Sequence, residues 1–516
     1  MSFSGNMKNA VKRTVSILNS KRFFWAVIVF FIFESAWMAL SAVYPQAFDE
    51  DFHFGLIKIY SHYWLPFLAN QPPHANTFGA VARDPSYLYH YLMSFPYRLI
   101  ALFVHGQTNQ VISLRFINIG LFGSGLVLFR QVLLRARVSS SLTNICLLLF
   151  IFIPIVPQLA AHINYDNLLF PLVAWACLLS FRAIDEIRKR HPSVRTLLSL
   201  GSVCLLASLV KYAFLPIFLA VVVFLAYTAY RSYRGRLSQL WPHLRQSWEI
   251  QSRLVKIVLA AVFIISFGLF AQRDLVNLVQ YRSINPNCSS VLSIKACSSY
   301  SPWYYAYSNH LLVLNPNNKV GHYNPLFYVF VWLYWMWYRL FFAVNGPASS
   351  FTNYPPLPLP SAAAALIAIA GIIAFFKWRQ RIFRGNPYMT FFFVVSLFYV
   401  VSLLAEGYSQ YLYTGQPINM NGRYLLPVLL LVAAIFGRAF SEVLRRSTAR
   451  KALIAVVAIF LFIEGGGVLT FISRSDADWD WPNSTVVKVN NAARKISNPV
   501  LVEGSKNYDT KDWVFN

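Results

Sequence analysis

The chain has 516 residues, of which 57% are hydrophobic and only 12% charged, and its formal net charge is +26. Many apolar stretches reach the roughly 20 residues that a helix needs to cross a bilayer. Alternating strand patterns are absent, so the composition predicts an all-α polytopic membrane protein. The positive charge does not indicate nucleic-acid binding, because the basic residues form short clusters between apolar stretches.

These basic clusters predict the topology. Residues 8–22 are rich in lysine and arginine and precede the first apolar stretch, so we expect a cytoplasmic N-terminus. Keeping the later clusters on the same side predicts about eleven crossings, with residues 86–104 and 326–344 as external juxtamembrane helices. The predicted spans are 23–43, 112–129, 141–158, 167–183, 196–211, 214–230, 254–271, 361–376, 389–405, 423–440 and 452–472.

The crossings form one predicted transmembrane domain over residues 1–472. Its external loops cover residues 44–111 and 272–360, and an external tail covers residues 473–516. The cytoplasmic loops are short and basic, and no Gly-rich nucleotide-binding motif occurs in the chain. Any source of energy or activated substrate must therefore lie in the membrane or on its external side.

Three carboxylates and an imidazole follow the first predicted span, in the sequence Asp49-Glu50-Asp51-Phe52-His53. The whole chain holds only 19 acidic residues, and carboxylates beside hydrocarbon are costly to keep. We interpret the cluster as a candidate catalytic site. The alternative is an acidic loop start that marks the outer surface.

Other polar residues occur at predicted span ends on the same side. Lys211 ends the span 196–211, and Arg423 with Tyr424 opens the span 423–440. Both cations are candidates for binding a phosphate, with snorkelling to lipid headgroups as the alternative. Asp166, preceded by Asn164, is a candidate for binding a sugar, a metal or Lys211, with a helix N-cap as the alternative.

A divalent metal and a disulfide remain open at this point. Asp49, Glu50 and Asp166 offer oxygen ligands that suit Mg²⁺ or Mn²⁺, but no cofactor is certain. Cys288 and Cys297 both lie in the second external loop, so a disulfide is expected, with free thiols as the alternative. The other three cysteines lie in predicted spans and are interpreted as packing residues.

The order of these elements resembles the GT-C superfamily of membrane glycosyltransferases over residues 23–440. Phe48-Asp49-Glu50 followed by His53 is similar to the first-loop motif of protein O-mannosyltransferases, and residues 84–89 are similar to the stretch that starts their second juxtamembrane helix. A bacterial GT-C-like family of largely uncharacterised membrane proteins looks closer. Its motifs match Asp49-Glu50-Asp51-Phe52-His53, Asn164-Tyr165-Asp166 and Gly422-Arg423-Tyr424-Leu425-Leu426-Pro427.

The resemblance implies a GT-C-like bundle that moves a sugar from a polyprenyl-phosphate donor to a glycan, lipid or protein acceptor on the external face. Asp49 is then the general base, Glu50 binds an acceptor hydroxyl or shares a metal, and Asp51 faces solvent. The implied donor-phosphate ligands are Arg423, Lys211, Tyr424 and His53, although a lone histidine is more often structural. The implied substrate-binding residues are Asp166, Asn164, Asp84 and Tyr87.

A transporter or lipid-carrier flippase is the rival class. It would predict charges buried in mid-span and two related halves, whereas this chain shows no internal repeat. The expected setting is a bacterial inner membrane, with membrane lipids as further partners. An enzyme of the endoplasmic reticulum would have the same sidedness.

Overall fold

The computed structural model describes residues 16–315, 317, 323–341, 346, 358–418, 420–443, 471–472, 475 and 477–501. It is 79% helical, and the described residues form no strand, which confirms the all-α class. Among the described residues, seven helices are long and apolar enough to cross a membrane. They are Lys21–Ser41, Gln107–Arg135, Asp166–Arg188, Tyr212–Ser232, Arg253–Tyr281, Pro387–Thr414 and Gly422–Val443.

Three more predicted spans coincide with helices outside that set. Helices Val194–Val210 and Pro358–Phe383 cover the predicted spans 196–211 and 361–376. The predicted span 141–158 is divided into helices Ser140–Ile151 and Ile155–Ala160. Pro154 lies at the break, and a proline disfavours helical geometry in the residue before it. The predicted span 452–472 lies outside the described residues except for 471–472.

The remaining elements are shorter helices between these long ones. Helices Leu88–Phe103 and Pro325–Phe341 occupy the two stretches predicted as juxtamembrane helices. The others are Glu50–Tyr60, Leu240–Glu249, Cys288–Val291, Ile294–Cys297, Ser301–Leu314 and Ser484–Leu501, with short 3₁₀ turns at Ala75–Phe78, Val81–Arg83, Tyr212–Phe214, Leu237–Gln239, Gly422–Leu425 and Ala477–Trp479.

Aromatic stacking joins the central helices. Phe170 stacks on Phe122 with ring centroids 4.3 Å apart and on Phe150 at 5.5 Å. Gly125 permits this contact, since a Cβ atom there would lie 2.4 Å from a ring carbon of Phe170. The close packing fixes Gln107–Arg135 against Asp166–Arg188 and so fixes the start of the second helix.

The long helices divide the described polar residues between two ends. At one end Asp185 accepts a hydrogen bond from Tyr388 and pairs with Arg135 at 3.4 Å, among the basic clusters. At the other end lie the starts of helices Asp166–Arg188 and Gly422–Val443 and the residues that follow the first long helix. The acidic cluster therefore lies at the end opposite these basic clusters.

Candidate active site

Asp49 is held in an unusual backbone conformation at the start of helix Glu50–Tyr60. Phe48 and Asp49 have φ values of 66° and 63°, which is the left-handed region. The Asp49 side chain is 61% exposed, and its Oδ2 accepts a hydrogen bond of 2.9 Å from Nη2 of Arg423. Asp49 is thus both accessible and oriented by a cation.

Arg423 is buried and only partly hydrogen-bonded. Its guanidinium carbon lies 5.0 Å from the ring centre of Phe48 and 5.2 Å from that of Tyr424. Its Nε and Nη1 atoms have no hydrogen-bond partner among the described residues. Unused donors on a guanidinium can bond to an oxygen of a phosphate or carboxylate.

A close backbone approach positions Arg423. A Cβ atom on Gly422 would lie 2.4 Å from the backbone nitrogen and Cα of Leu340, so only glycine fits there. Asn421 accepts a hydrogen bond of 3.0 Å from the Arg423 backbone N–H, and Arg339 donates to the Met420 carbonyl at 2.7 Å. These contacts fix the 3₁₀ turn Gly422–Leu425 against helix Pro325–Phe341.

A second ion pair, between Lys211 and Asp166, lies beside the first. Lys211 Nζ donates to Asp166 Oδ1 at 2.7 Å, and both side chains are buried. The ammonium lies 4.6 Å from the ring centre of Tyr165 and 4.9 Å from that of Tyr424. Asp166 Oδ2 has no partner within the described part of the chain.

Tyr165 connects the two ion pairs electrostatically. Burial raises the pKa of its phenol well above the usual value. The carboxylate of Asp166 raises this pKa further, and the Arg423 guanidinium opposes the rise. The two ion pairs, with Tyr165 and Tyr424, therefore form one site, as the predicted sidedness of Lys211, Arg423 and Asp166 required.

Glu50 points away from this site into the protein. Arg115 donates to it through Nε at 2.8 Å and through Nη2 at 2.7 Å, and the backbone N–H groups of Gln46 and Ile163 also donate to it. Burial raises the pKa of the Glu50 carboxyl, but the charge and hydrogen bonds of Arg115, together with His162 and the Gln46 N–H, outweigh burial and hold this pKa below its usual value. Glu50 is an ionised anchor for the loop in this geometry, and its predicted contact with an acceptor stays a prediction.

Arg115 was missed from the sequence, although a signal was present. It lies within the predicted span 112–129, where an ionisable side chain requires a partner. Besides Glu50, it donates to the backbone carbonyls of Ala39 and Ala42 at the end of the first long helix. Arg115 therefore closes the loop that leads to Asp49.

His53 takes part in an internal hydrogen-bond chain. Asn164 donates from Nδ2 to the Phe48 carbonyl at 2.9 Å and to His53 Nε2 at 3.0 Å, while its Oδ1 accepts from the Asp166 N–H. The proton of His53 must then lie on Nδ1, which is 2.8 Å from Nε2 of His90. Both ring nitrogens are thus engaged within the protein.

The two stacked histidines are neutral. Burial lowers the pKa of His53 well below its usual value, and the charges of His90, Arg423 and Lys211 lower it further. Burial also lowers the pKa of His90, to about 3. Asn164 and His53 consequently support the loop around Phe48, and the predicted phosphate contact of His53 stays a prediction.

Asp84 and Tyr87 lie on a neighbouring loop. Burial raises the pKa of Asp84, against the Ser86 N–H that donates to its Oδ1 at 2.9 Å and the charge of Arg273. Tyr87 is fully buried, with the Arg273 guanidinium 4.3 Å from its ring centre. Arg273 also donates to the Asp84 carbonyl at 3.0 Å, so it ties this loop to helix Arg253–Tyr281.

The segment 288–300 approaches the site through Tyr300. A disulfide joins Cys288 to Cys297, with 5.9 Å between the Cα atoms, and the Tyr300 N–H donates to the Cys297 carbonyl. The Tyr300 ring packs against Gly79, where a Cβ atom would lie 3.0 Å away. Burial raises the pKa of Tyr300, and the carboxylates of Asp84 and Asp49 raise it further, so its phenol lies within electrostatic range of both groups.

The candidate carboxylates do not form a metal-ligand set. Within the described ranges, no group of three or more His, Cys, Asp or Glu side chains could hold a metal ion. Glu50 and Asp166 are each directed at their own cation, Arg115 and Lys211. No step below is therefore assigned to a metal.

No model of a known protein family matches the chain, and no curated protein matches it significantly.

Proposed function

We propose that the chain is an integral-membrane glycosyltransferase of the GT-C type. It transfers a monosaccharide from a polyprenyl-phosphate-linked donor to a glycan, lipid or protein acceptor, with Asp49 as general base. The proposal includes about eleven crossings, a cytoplasmic N-terminus and an active site on the external face of a bacterial inner membrane.

One observation carries the proposal: an accessible carboxylate meets a buried guanidinium that still has two unused donors. Asp49 is the exposed partner, and Arg423 keeps Nε and Nη1 without a partner in the described structure. A base and an anion-binding group at hydrogen-bonding distance from each other are what transfer from a phosphate leaving group requires.

The reaction assigns a role to each group. Asp49 accepts the proton of an acceptor hydroxyl while that oxygen attacks the anomeric carbon of the donor sugar. The bond from the anomeric carbon to the phosphate oxygen breaks, and the lipid phosphate leaves with the electron pair. Arg423, with Lys211 beside it, stabilises the charge on that phosphate.

Tyr300 and Asp84 support an acceptor position on the loop side of Asp49. The Tyr300 phenol lies within electrostatic range of both carboxylates, where it could bind a sugar hydroxyl. Tyr165 and Tyr424 lie beside the two cations, where the donor phosphate would bind.

The test is an Asp49→Asn variant assayed in membranes with a polyprenyl-phosphate sugar. We expect transfer to fall about 10²–10⁴-fold, the usual contribution of a general base. Asp51→Asn is the matched control, because Asp51 is also exposed and lies two residues away. Full activity in Asp49→Asn would refute the assignment. Donor uptake into proteoliposomes without sugar transfer would favour the transporter.

A further inference from the structure

The C-terminal segment, residues 477–494, pairs with the backbone that leads to Asp49. The Val43 N–H donates to the Trp479 carbonyl at 2.8 Å, and the Trp481 N–H donates to the Ser41 carbonyl at 2.9 Å. Ala42 and Asp480 thus form an antiparallel bridge where the first long helix ends. The two paired stretches are more than 430 residues apart in the sequence.

The same carbonyl of the C-terminal segment receives a second donor from the loop. Gln46 is fully buried, and its Nε2 donates to the Trp479 carbonyl at 3.4 Å. The backbone N–H of Gln46 donates to Glu50 at 3.0 Å. Gln46 therefore connects the C-terminal segment to the anchor on the other side of Asp49.

The bridge and Gln46 hold a stretch of backbone whose conformation is unfavourable for non-glycine residues. Phe48 and Asp49 are consecutive non-glycine residues in the left-handed region, which L-residues with a Cβ atom rarely adopt. Such conformations persist only where the surroundings determine them on both sides. Glu50 with Arg115 supplies one side, and the bridge to residues 479–481 supplies the other.

The C-terminal segment is itself fastened to the first long helix. Asn490 is buried, and its Oδ1 accepts from the Trp37 indole at 2.9 Å while its Nδ2 donates to Asp480 at 2.8 Å. Asp480 also pairs with Arg494 at 2.9 Å, and Trp479 is buried in the core. Asn490 thus joins the helix, the bridge and the segment at one point.

We infer that the C-terminal segment positions Asp49, so that the candidate active site is complete only when this segment is docked. The inference rests on the proposed function for its catalytic consequence. The segment acts through residues 42–48, to which it bonds directly. Its loss should therefore displace the base and leave the phosphate-binding cations in place.

The test is hydrogen exchange by mass spectrometry on full-length protein in nanodiscs. In Asn490→Ala we expect faster exchange both in residues 477–494 and in residues 44–53, which include the Gln46 amide. Asn491→Ala is the matched control, because Asn491 is the same residue type at the next position and is exposed. Unchanged exchange in residues 136–143, at the opposite end, shows that the variant is folded.

A second variant removes the remaining attachment. Trp479→Ala with Asn490→Ala deletes the buried indole as well as the amide bridge. Unchanged exchange of residues 477–494 in this double variant would overturn the role of Asn490 and Trp479. Release of those residues with residues 44–53 still protected would overturn the positioning role.

Sugar transfer supplies the readout that a purely structural role would not change. In Asn490→Ala we expect kcat to fall by about 10–10²-fold, the scale of a misplacement near 1 Å, with the KM for the donor nearly unchanged. A fall in donor affinity without a fall in kcat would contradict the inference. The exchange result does not depend on transfer, so full activity of Asp49→Asn would refute the proposed function alone.

Discussion

Arg423 Nη2 lies 2.9 Å from Asp49 Oδ2, although the two residues are 374 positions apart. The guanidinium is buried and the carboxylate exposed, so the pair lies where protein interior meets an open surface. An oxygen of an incoming phosphate can accept from one of the unused donors while Nη2 continues to orient Asp49. The same arginine then serves the leaving group and the base.

Arg423→Lys should weaken the binding of polyprenyl phosphate. A lysine keeps the charge but replaces the fork of donors by a single point, which should cost about 1.5–3 kcal/mol for one charged hydrogen bond. Arg282→Lys, at an exposed position just after helix Arg253–Tyr281, is the control. Retention of a prenyl phosphate by purified protein, titrated with ligand, measures the effect. If Arg423→Lys and Arg282→Lys bind prenyl phosphate with equal affinity, Arg423 does not bind the phosphate.

The main effect of Glu50→Gln should be a loss of protein stability and not of catalysis. Removing one partner of a buried ion pair leaves the other charge unpaired, a loss of about 3–5 kcal/mol. Thermal unfolding in detergent should therefore shift to lower temperature. The double variant Glu50→Gln with Arg115→Gln should recover part of the loss. If the Glu50→Gln protein has normal stability but has lost activity, the result would instead show that Glu50 takes part in catalysis.

Acidification below pH 6.5 should destabilise the protein through its buried histidines. The folded-state pKa values of His53 and His90 are depressed, so their contribution is present above the unfolded pKa and is lost as pH falls towards the folded pKa. The loss should reach about 2 kcal/mol per histidine at pH 5. Melting temperatures measured between pH 7 and pH 5 test this.

His90→Gln should reduce that pH dependence. A glutamine removes one titrating ring and still offers an acceptor to the Nδ1–H of His53. His191→Gln, at an exposed position at the opposite end, should leave the dependence unchanged. An identical pH profile in His90→Gln and the parent protein would show that the histidine pair does not titrate on unfolding.

Gly422→Ala should displace Arg423. The added methyl group would lie 2.4 Å from backbone atoms of Leu340, which cannot move aside as a flexible side chain can. We expect a lower melting temperature and weaker binding of prenyl phosphate. Gly120→Ala is the control, since nothing lies within 4 Å of its Cβ position and alanine favours a helix by about 1 kcal/mol. A harmless Gly422→Ala would show that the 3₁₀ turn can shift without affecting Arg423.

The sequence predicted which residues share an end of the molecule. The apolar stretches and basic clusters fix on which side a span begins, so Asp166, Lys211 and Arg423 were expected to lie near Asp49. The structure brings these four together. Sidedness alone does not predict which of these groups pair. In the structure Lys211 pairs with Asp166, and Arg423 pairs with Asp49.

The direction of each side chain could not be predicted in the same way. Asp49 and Glu50 are adjacent, yet one is exposed and the other fully buried. The left-handed backbone at Asp49 makes this separation, and a hydropathy pattern carries no information on such local geometry. The partner of Glu50 also depends on how the helix Gln107–Arg135 is rotated, which tertiary packing decides.

The docking of the C-terminal segment was beyond the reach of sequence patterns. The prediction placed residues 473–516 as an external tail, and nothing in their composition indicates a contact with residues 41–46. Such pairing depends on two short stretches meeting through backbone groups, which every residue type provides. Only the fold brings Trp479 and Asp480 to the end of the first long helix.

The left-handed backbone at position 49 also explains which acid can serve there. Aspartate and asparagine are the common L-residues that tolerate this region, because their short polar side chains bond locally. A glutamate at this position would carry the conformational cost of the backbone as well as one more methylene group. Asp49→Asn therefore removes the charge without disturbing the chain, whereas Asp49→Glu, the chemically conservative exchange, is structurally the harsher of the two.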